Sequence, residues 1–174
     1  MKIHIIGSVG SGKSTLARRL SHKYGVPYFE LDNVVWKRTN KGDIRNSPEV
    51  RDEKFRNIIA MDSWIVEGVH HSWVLEGFKK AELIIFLDTR VWKRNYRIAK
   101  RFFVQKLGFE KGNYKQTVLI LGKMYKWNYH FENSSKPEIL SILQQFKEKL
   151  LVVSDNDKIE EIDFTIGKQK QKWS

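Results

Sequence analysis

Residues 7 to 14 read Gly7-Ser8-Val9-Gly10-Ser11-Gly12-Lys13-Ser14, and Thr15 follows. Glycines, a lysine and a closing serine at this spacing are the parts of a phosphate cradle. Glycine lets consecutive backbone N–H groups turn toward one anion where a Cβ would obstruct them. The N–H groups of a helix start just beyond add partial positive charge. In such a loop Lys13 reaches the β- and γ-phosphates and the Ser14 hydroxyl ligates Mg²⁺. The pattern has meaning only between a strand and a helix. The apolar run Ile3-His4-Ile5-Ile6 precedes it, and Thr15-Leu16-Ala17-Arg18-Arg19-Leu20, with helical character, follows. The expectation is a nucleoside triphosphate site for ATP with Mg²⁺. Gly7, Ser8, Gly10, Ser11, Gly12, Lys13, Ser14 and Thr15 would surround the phosphates.

Carboxylates stand where such a site would use them. Glu67-Gly68 ends the apolar run Trp64-Ile65-Val66, and ligands of open parallel sheets sit beyond the carboxyl ends of the strands. Glu67 is therefore expected beside the loop, holding Mg²⁺ or orienting a nucleophile. Asp88, after Leu83-Ile84-Ile85-Phe86-Leu87, is the alternative magnesium or N-cap residue. Asp32 closes Glu30-Leu31-Asp32. It would accept a proton from an acceptor hydroxyl or help hold Mg²⁺; the other reading is an N-cap for a short helix over Asn33 to Trp36.

Cations complete the set. Arg90, Arg94, Arg97 and Arg101 fall at i, i+4, i+7 and i+11, a stripe of about 16 Å along one helix. Guanidinium groups match phosphate oxygens in pairs and stay charged, so Arg94, Arg97 and Arg101 are candidates for closing over a transferred phosphoryl group. A solvated face is the plainer alternative. Val91, Ile98 and Phe102 form the neighbouring apolar stripe that would anchor the helix. Phe102-Phe103 and the basic stretch after it suit a closing lid. Arg45, in Gly42-Asp43-Ile44-Arg45, would hold an acceptor's anionic group. Trp36 is the candidate for stacking on a base, and His70 and His71 would line the acceptor pocket.

The elements that position these residues alternate. Apolar runs at Lys2 to Ile6, Pro27 to Leu31, Ser63 to Glu67, Leu83 to Leu87 and Leu150 to Val153 predict strands covered on both faces. Helical patterns run over Lys13 to Tyr24, Pro48 to Met61, Val91 to Leu107, Tyr114 to His130 and Pro137 to Lys149. Ser47-Pro48-Glu49 marks one helix start. Stretches Asn40 to Asn46 and Gly108 to Asn113 read as mobile loops, and Asn156 to Ile166 as a last helix or packing arm. This alternation predicts an α/β fold with a parallel sheet, in one domain over residues 1–174.

Composition narrows the partners. The 174 residues carry no cysteine and a net charge of +12. A disulfide framework and a thiolate metal site are excluded, and a reducing cytoplasm is expected. The first strand begins at once, so no signal sequence is expected, and no apolar run approaches the roughly 20 residues of a membrane span. Between Arg90 and His130 eleven Lys and Arg residues face only Glu110. That segment would draw an anionic partner: a nucleoside triphosphate with a small-molecule acceptor is favoured, and DNA is the alternative. Lys168, Lys170 and Lys172 read as a solvated tail, and the chain as a monomer or homodimer.

The loop at residue 7, Glu67-Gly68 and the arginine-rich helix after the fourth strand together resemble the adenylate-kinase-like nucleotide and metabolite kinases. Over nearly the whole chain, the stretches MKIHIIGSVGSGKSTLA, PYFELDNVVW, WIVEGVHHSW and LIIFLDT resemble the FlaR-related bacterial DNA topology modulation proteins. This resemblance implies a three-layer P-loop NTPase fold with a five-stranded parallel sheet in the order 2-3-1-4-5. It also implies an acceptor region between strands two and three, and a helical lid after strand four, around residues 90–130. Gly7, Gly10, Gly12, Lys13, Ser14 and Thr15 match the donor loop of these kinases, and Arg94, Arg97 and Arg101 their lid arginines. Glu67 stands where nucleoside-monophosphate kinases carry the acid of an Asp-Gly-Phe-Pro-Arg segment, with His71 in place of its arginine. Gly42-Asp43-Ile44-Arg45 is similar to a Gly-Asp-x-x-Arg acceptor motif, one residue shorter. Glu30-Leu31-Asp32 is similar to the Asp-x-Asp of shikimate-type kinases, which bind a hydroxyl acceptor. The activity implied is transfer of the ATP γ-phosphoryl to a small molecule, a nucleotide or nucleoside ahead of other metabolites. The alternative is an ATP-switched regulator that contacts DNA through the basic segment.

Overall fold

Strand β1 (Lys2–Gly7) is buried from Ile3 to Gly7 because both of its faces are covered. The computed structural model describes residues 1–39, 42–106 and 118–154. Helix α1 (Lys13–Tyr24) follows β1, then β2 (Tyr28–Glu30) and the short α2 (Leu31–Val35). Strands β3 (Trp36–Lys37) and β4 (Ile44–Arg45) form an antiparallel hairpin. Helix α3 (Pro48–Ile59), β5 (Trp64–Gly68), α4 (Leu75–Lys80) and β6 (Leu83–Leu87) come next. They are followed by α5 (Val91–Lys106), α6 (Val118–His130), a π-helical stretch Phe131–Ser135, and α7 (Lys136–Leu143). A 3₁₀ stretch Gln144–Lys149 leads into β7 (Leu150–Val153).

The five long strands are all parallel, in the order β2-β5-β1-β6-β7. Counted among themselves, that is 2-3-1-4-5, with α5 and α6 forming the helical lid region. Alternation along β1 divides the core. Ile3 and Ile5 face α1, packing with Leu16, Ala17 and Leu20 and with Ile65, Ile85 and Leu87. Ile6 faces the other way, joining Val66, Ile84 and Phe86 against Phe55 and Ile59 of α3, Phe78 of α4 and Ile139 of α7. His4 shares this second face and is fully buried against Phe78 at 4.4 Å between ring centroids. Because the strands are parallel, every carboxyl end points to one edge, and the loop after β1 lies there with Glu67.

Helix boundaries carry their chemistry. Ser47 caps α3 by accepting from the Val50 N–H at 3.4 Å, with Pro48 at the first position. Gly25 ends α1 at φ 66°, donating to Ser21 O at 2.9 Å.

Several elements differ from the sequence reading. Helix α3 stops at Ile59 rather than Met61. The helix read over Pro137 to Lys149 turns 3₁₀ after Leu143, and Phe146 breaks helical geometry at φ −120°. The break expected after His130 is absent: a π-turn carries the chain straight into α7. The stretch Asn40 to Asn46, read as a loop, contains β4 paired back onto Trp36–Lys37. The short helix near Asp32 exists but begins at Leu31, so Asp32 lies in its first turn rather than at its N-cap. The stretches Gly108 to Asn113, 114–117 and Asn156 to Ile166, and the basic tail, lie outside the described residues. Among the described residues no helix is long and apolar enough to cross a membrane.

Candidate functional site

The loop between β1 and α1 is shaped by what a Cβ would strike. At Gly7 it would lie 2.9 Å from Leu87 O, and at Gly10, where φ is +75°, 2.8 Å from Arg94 O. Gly12 sits at φ 96° as the N-cap of α1 and brings no side chain to the helix's first N–H groups. That helix start is left open to an anion. Lys13 is buried, and its Nζ donates to Ser8 O at 2.9 Å inside the loop. Burial pushes its pKa down, while Glu67 and then Asp32 pull it back up.

Ser14 Oγ donates to Glu67 Oε1 at 2.6 Å. Strand β5 puts Glu67 there, in register with Ile5 of β1 and Glu30 of β2. Burial raises the Glu67 pKa, and Lys13 and the Ser14 hydroxyl oppose that rise. A hydroxyl and a carboxylate in contact, beside a loop built for phosphate, form a hard-oxygen donor pair that fits Mg²⁺. That ion takes one or two protein oxygens and completes its shell from phosphates and water. Among the described residues no cluster of three or more His, Cys, Asp or Glu offers an all-protein metal cage. Asp88 is engaged elsewhere: its Oδ1 lies 2.6 Å from Lys136 Nζ.

The arginine stripe divides along its length. Arg94 is almost wholly buried, with Nη2 2.5 Å from Glu132 Oε2 and its guanidinium 5.5 Å from the Phe131 ring centroid. Lys136 bridges Glu132, at 2.9 Å, to Asp88, so these four charges form one chain that returns to the end of β6. Arg97 turns the other way, and its Nη1 donates to Ser11 O at 3.0 Å. Arg101 contacts Met124 Sδ at 3.9 Å and stands near enough to Lys13 to depress its pKa.

On the other side of the loop, Asp32 Oδ1 lies 3.7 Å from His70 Nε2. His70 holds the Asp32 carboxyl below its usual range, and Lys13 adds to that effect. The His70 ring leans on Trp73 at 5.2 Å, whose other neighbours are Phe55 at 5.3 Å and the Arg51 guanidinium at 4.6 Å. His71 points to α7 instead, with Nε2 3.2 Å from Glu138 Oε2. Trp36 and Arg45 meet across the hairpin as direct partners, the guanidinium 5.9 Å from the ring centroid. Both are exposed, and Arg38 pairs with Asp43 at the hairpin turn.

The structure therefore gathers Lys13, Ser14, Glu67, Asp32, Ser11, Arg97 and Arg101 around the loop. It places Trp36 with Arg45 on the hairpin, and it ties Arg94 and His71 to carboxylates of the C-terminal half. Two polar residues escaped the sequence reading. Thr89, buried, donates to Ser11 O at 3.1 Å; its signal was its place just past the carboxyl end of β6. Asn128, also buried, accepts from Ser8 Oγ at 3.0 Å, and nothing in the sequence around it marks it out.

A five-stranded parallel sheet in this order, with a glycine-rich loop joining its central strand to a helix, is a three-layer α/β P-loop fold. The sequence model of the shikimate kinase family matches residues 9–60. The uncharacterized protein YqaC of Bacillus subtilis (strain 168) is 29% identical over 130 residues, 71% of each chain. The shikimate kinase of Paracidovorax citrulli (strain AAC00-1) is 44% identical over 45 residues, 26% of this chain and 24% of that one. Adenylate and cytidylate kinases also match. Among solved structures, shikimate kinase from Acinetobacter baumannii in complex with shikimate superposes with a TM-score of 0.61. It covers 97% of this chain and 95% of that one, at 14% identity. The fold is thus related to those of shikimate, adenylate and cytidylate kinases.

Proposed function

We propose that this chain is an ATP- and Mg²⁺-dependent phosphotransferase that moves the γ-phosphoryl group to a small-molecule acceptor, a nucleotide or nucleoside ahead of other metabolites. The observation that carries the reading is Ser14 bonded to Glu67 at 2.6 Å beside a buried Lys13 whose Nζ sits inside the glycine loop. Catalysis in such a site is positioning and charge stabilisation. Lys13 leaves Ser8 O for the β- and γ-phosphates, and the loop N–H groups bind the same oxygens. Ser14 and Glu67 would hold Mg²⁺, which when bound would offset phosphate charge. Arg97 and Arg101 approach the equatorial oxygens from α5, with Arg94 behind them fixing the helix. Asp32 orients the acceptor hydroxyl and takes its proton as the new P–O bond forms and the bond to the β–γ bridging oxygen breaks. Trp36 and Arg45 receive the rest of the acceptor.

The test is ATP consumption with Mg²⁺ against nucleoside monophosphates, nucleosides and small hydroxyl metabolites, with Lys13→Ala as control. An acceptor-dependent rise, abolished in the control, supports the reading. Tight ATP binding with no transfer to any acceptor overturns it. A second reading, a DNA-associated regulator switched by ATP, draws on α5, where Trp92, Tyr96 and Phe103 are exposed beside Arg90 and Lys100. It requires duplex binding that survives near-physiological salt; loss at modest salt marks simple charge attraction.

A further inference from the structure

Ser8 is held by two handles. Its carbonyl accepts from Lys13 Nζ at 2.9 Å, and its hydroxyl donates to Asn128 Oδ1 at 3.0 Å. The partner residue lies 120 positions further along the chain, on α6. Both Ser8 and Asn128 are 1% exposed, so water does not compete for either group. Asn128 is itself fixed, because its Nδ2 donates to Asn95 Oδ1 on α5 at 2.6 Å. An amide whose nitrogen is committed to one neighbour presents its oxygen to the other. The other end of the loop is tied as firmly: Ser11 O accepts from Thr89 Oγ1 at 3.1 Å and from Arg97 Nη1 at 3.0 Å. Between these ends, the space at Gly10 is closed by the α5 backbone at Arg94.

We propose that Asn128 is a positioning residue for the donor phosphates, acting through Ser8. The inference rests on the donor-site reading above. When Lys13 moves onto phosphate oxygens, the Ser8 carbonyl keeps, among the described residues, only the Ser11 N–H, at 3.3 Å. The hydroxyl bond to Asn128 then holds the first turn of the loop in place. Without it the loop N–H groups lose their common direction, and part of the binding free energy goes to restoring it. Asn128 also links the loop to both helices of the lid region, so donor binding and the placement of Arg97 and Arg101 share one polar chain.

The test is calorimetric titration of the full chain with Mg-ATP. Asn128→Leu keeps the branched shape and leaves the Ser8 hydroxyl buried without an acceptor; Ser8→Ala removes the donor. Each is expected to weaken Mg-ATP binding about five- to tenfold, the usual cost of a buried polar group losing its partner. The double variant is expected to be no weaker than Asn128→Leu alone, since that change already removes the one bond that Ser8→Ala removes. Independent losses that multiply, or a folded Asn128→Leu protein within twofold of the wild type, overturn the proposal. If Asn128→Leu does not fold, Asn95→Ala, one bond further out and partly exposed, takes its place: about threefold weakening supports the proposal and unchanged affinity overturns it. A wild-type chain that binds no Mg-ATP refutes the donor site itself and this role with it, an outcome visible without any variant.

Discussion

His4 sits on the strand that aims the phosphate loop, yet it is fully buried and both ring nitrogens lack a hydrogen-bond partner among the described residues. Its neighbours are the Phe78 ring and the Gly77 backbone, where an added Cβ would come within 3.0 Å of Nδ1. Burial lowers its pKa from 6.5 to about 3. The folded chain therefore carries a neutral imidazole where the unfolded chain takes up a proton. Stability from this residue is complete above the unfolded value and is lost as pH falls from there toward about 3. At pH 5 the unfolded histidine lies 1.5 units below its pKa of 6.5, which favours unfolding by about 2 kcal/mol relative to pH 7.5.

The perturbation is His4→Leu, which fills much of the same space without titrating. Its absolute stability will shift through packing, so the informative quantity is the change between the two pH values. Urea unfolding at pH 7.5 and pH 5 reads it directly. The wild type is expected to lose about 2 kcal/mol more than the variant over this range, or about 4 to 8 °C of midpoint by thermal melting. Carboxylates titrate alike in both proteins and cancel in the comparison. Equal losses would refute the reasoning and mean that a proton reaches His4 in the folded chain.

Glu67→Gln removes an anionic oxygen from the pair with Ser14. The expected result is weaker Mg²⁺ dependence of ATP binding at neutral pH, checked by titration with and without the metal. In the wild type, where burial raises the Glu67 pKa, metal-dependent binding should fall on mild acidification, and the glutamine variant should not follow it. Arg94→Leu strips a buried guanidinium from Glu132; breaking such a pair costs about 3 kcal/mol, read as a lower urea midpoint. Arg97→Leu, which loses its bond to Ser11 O, is expected to lower stability by only about 1 kcal/mol while lowering turnover at least tenfold, as measured by ATP consumption in the presence of acceptor.

Much of the sheet was legible because burial on both faces writes itself as continuous apolar sequence. Leu83–Leu87 and Leu150–Val153 lie where the sequence puts them, and the glycine loop joins β1 to α1 as expected. Short elements were not legible: two-residue strands such as Trp36–Lys37 and Ile44–Arg45 are too brief to show a period, and the six residues of α4 complete less than two helical turns. Periodicity also placed four arginines on one helix face without saying where each would turn. Arg94 goes inward because Phe131 and Glu132 meet it, and Arg97 goes to Ser11 O. Those partners lie far along the chain, and long-range pairing leaves no local signature. His71 turned toward Glu138 for the same reason.

The same limit explains why the proposed donor half of the site reads more clearly than the proposed acceptor half. A phosphate is bound largely by backbone N–H groups, and backbone direction is dictated by glycines whose spacing any sequence displays. An acceptor is bound by side chains, and on that side the charges come already paired: Arg38 with Asp43, Arg51 with Asp52, His71 with Glu138 and His70 with Asp32. Each pair mutes the charge that a sequence count would assign to it. Lys13 and Glu67 differ in kind, because burial disfavours the charge of both and each opposes that shift in the other. The carboxylate at the end of β5 therefore favours the cationic form of the buried lysine in the loop, and Asp32 adds to that effect.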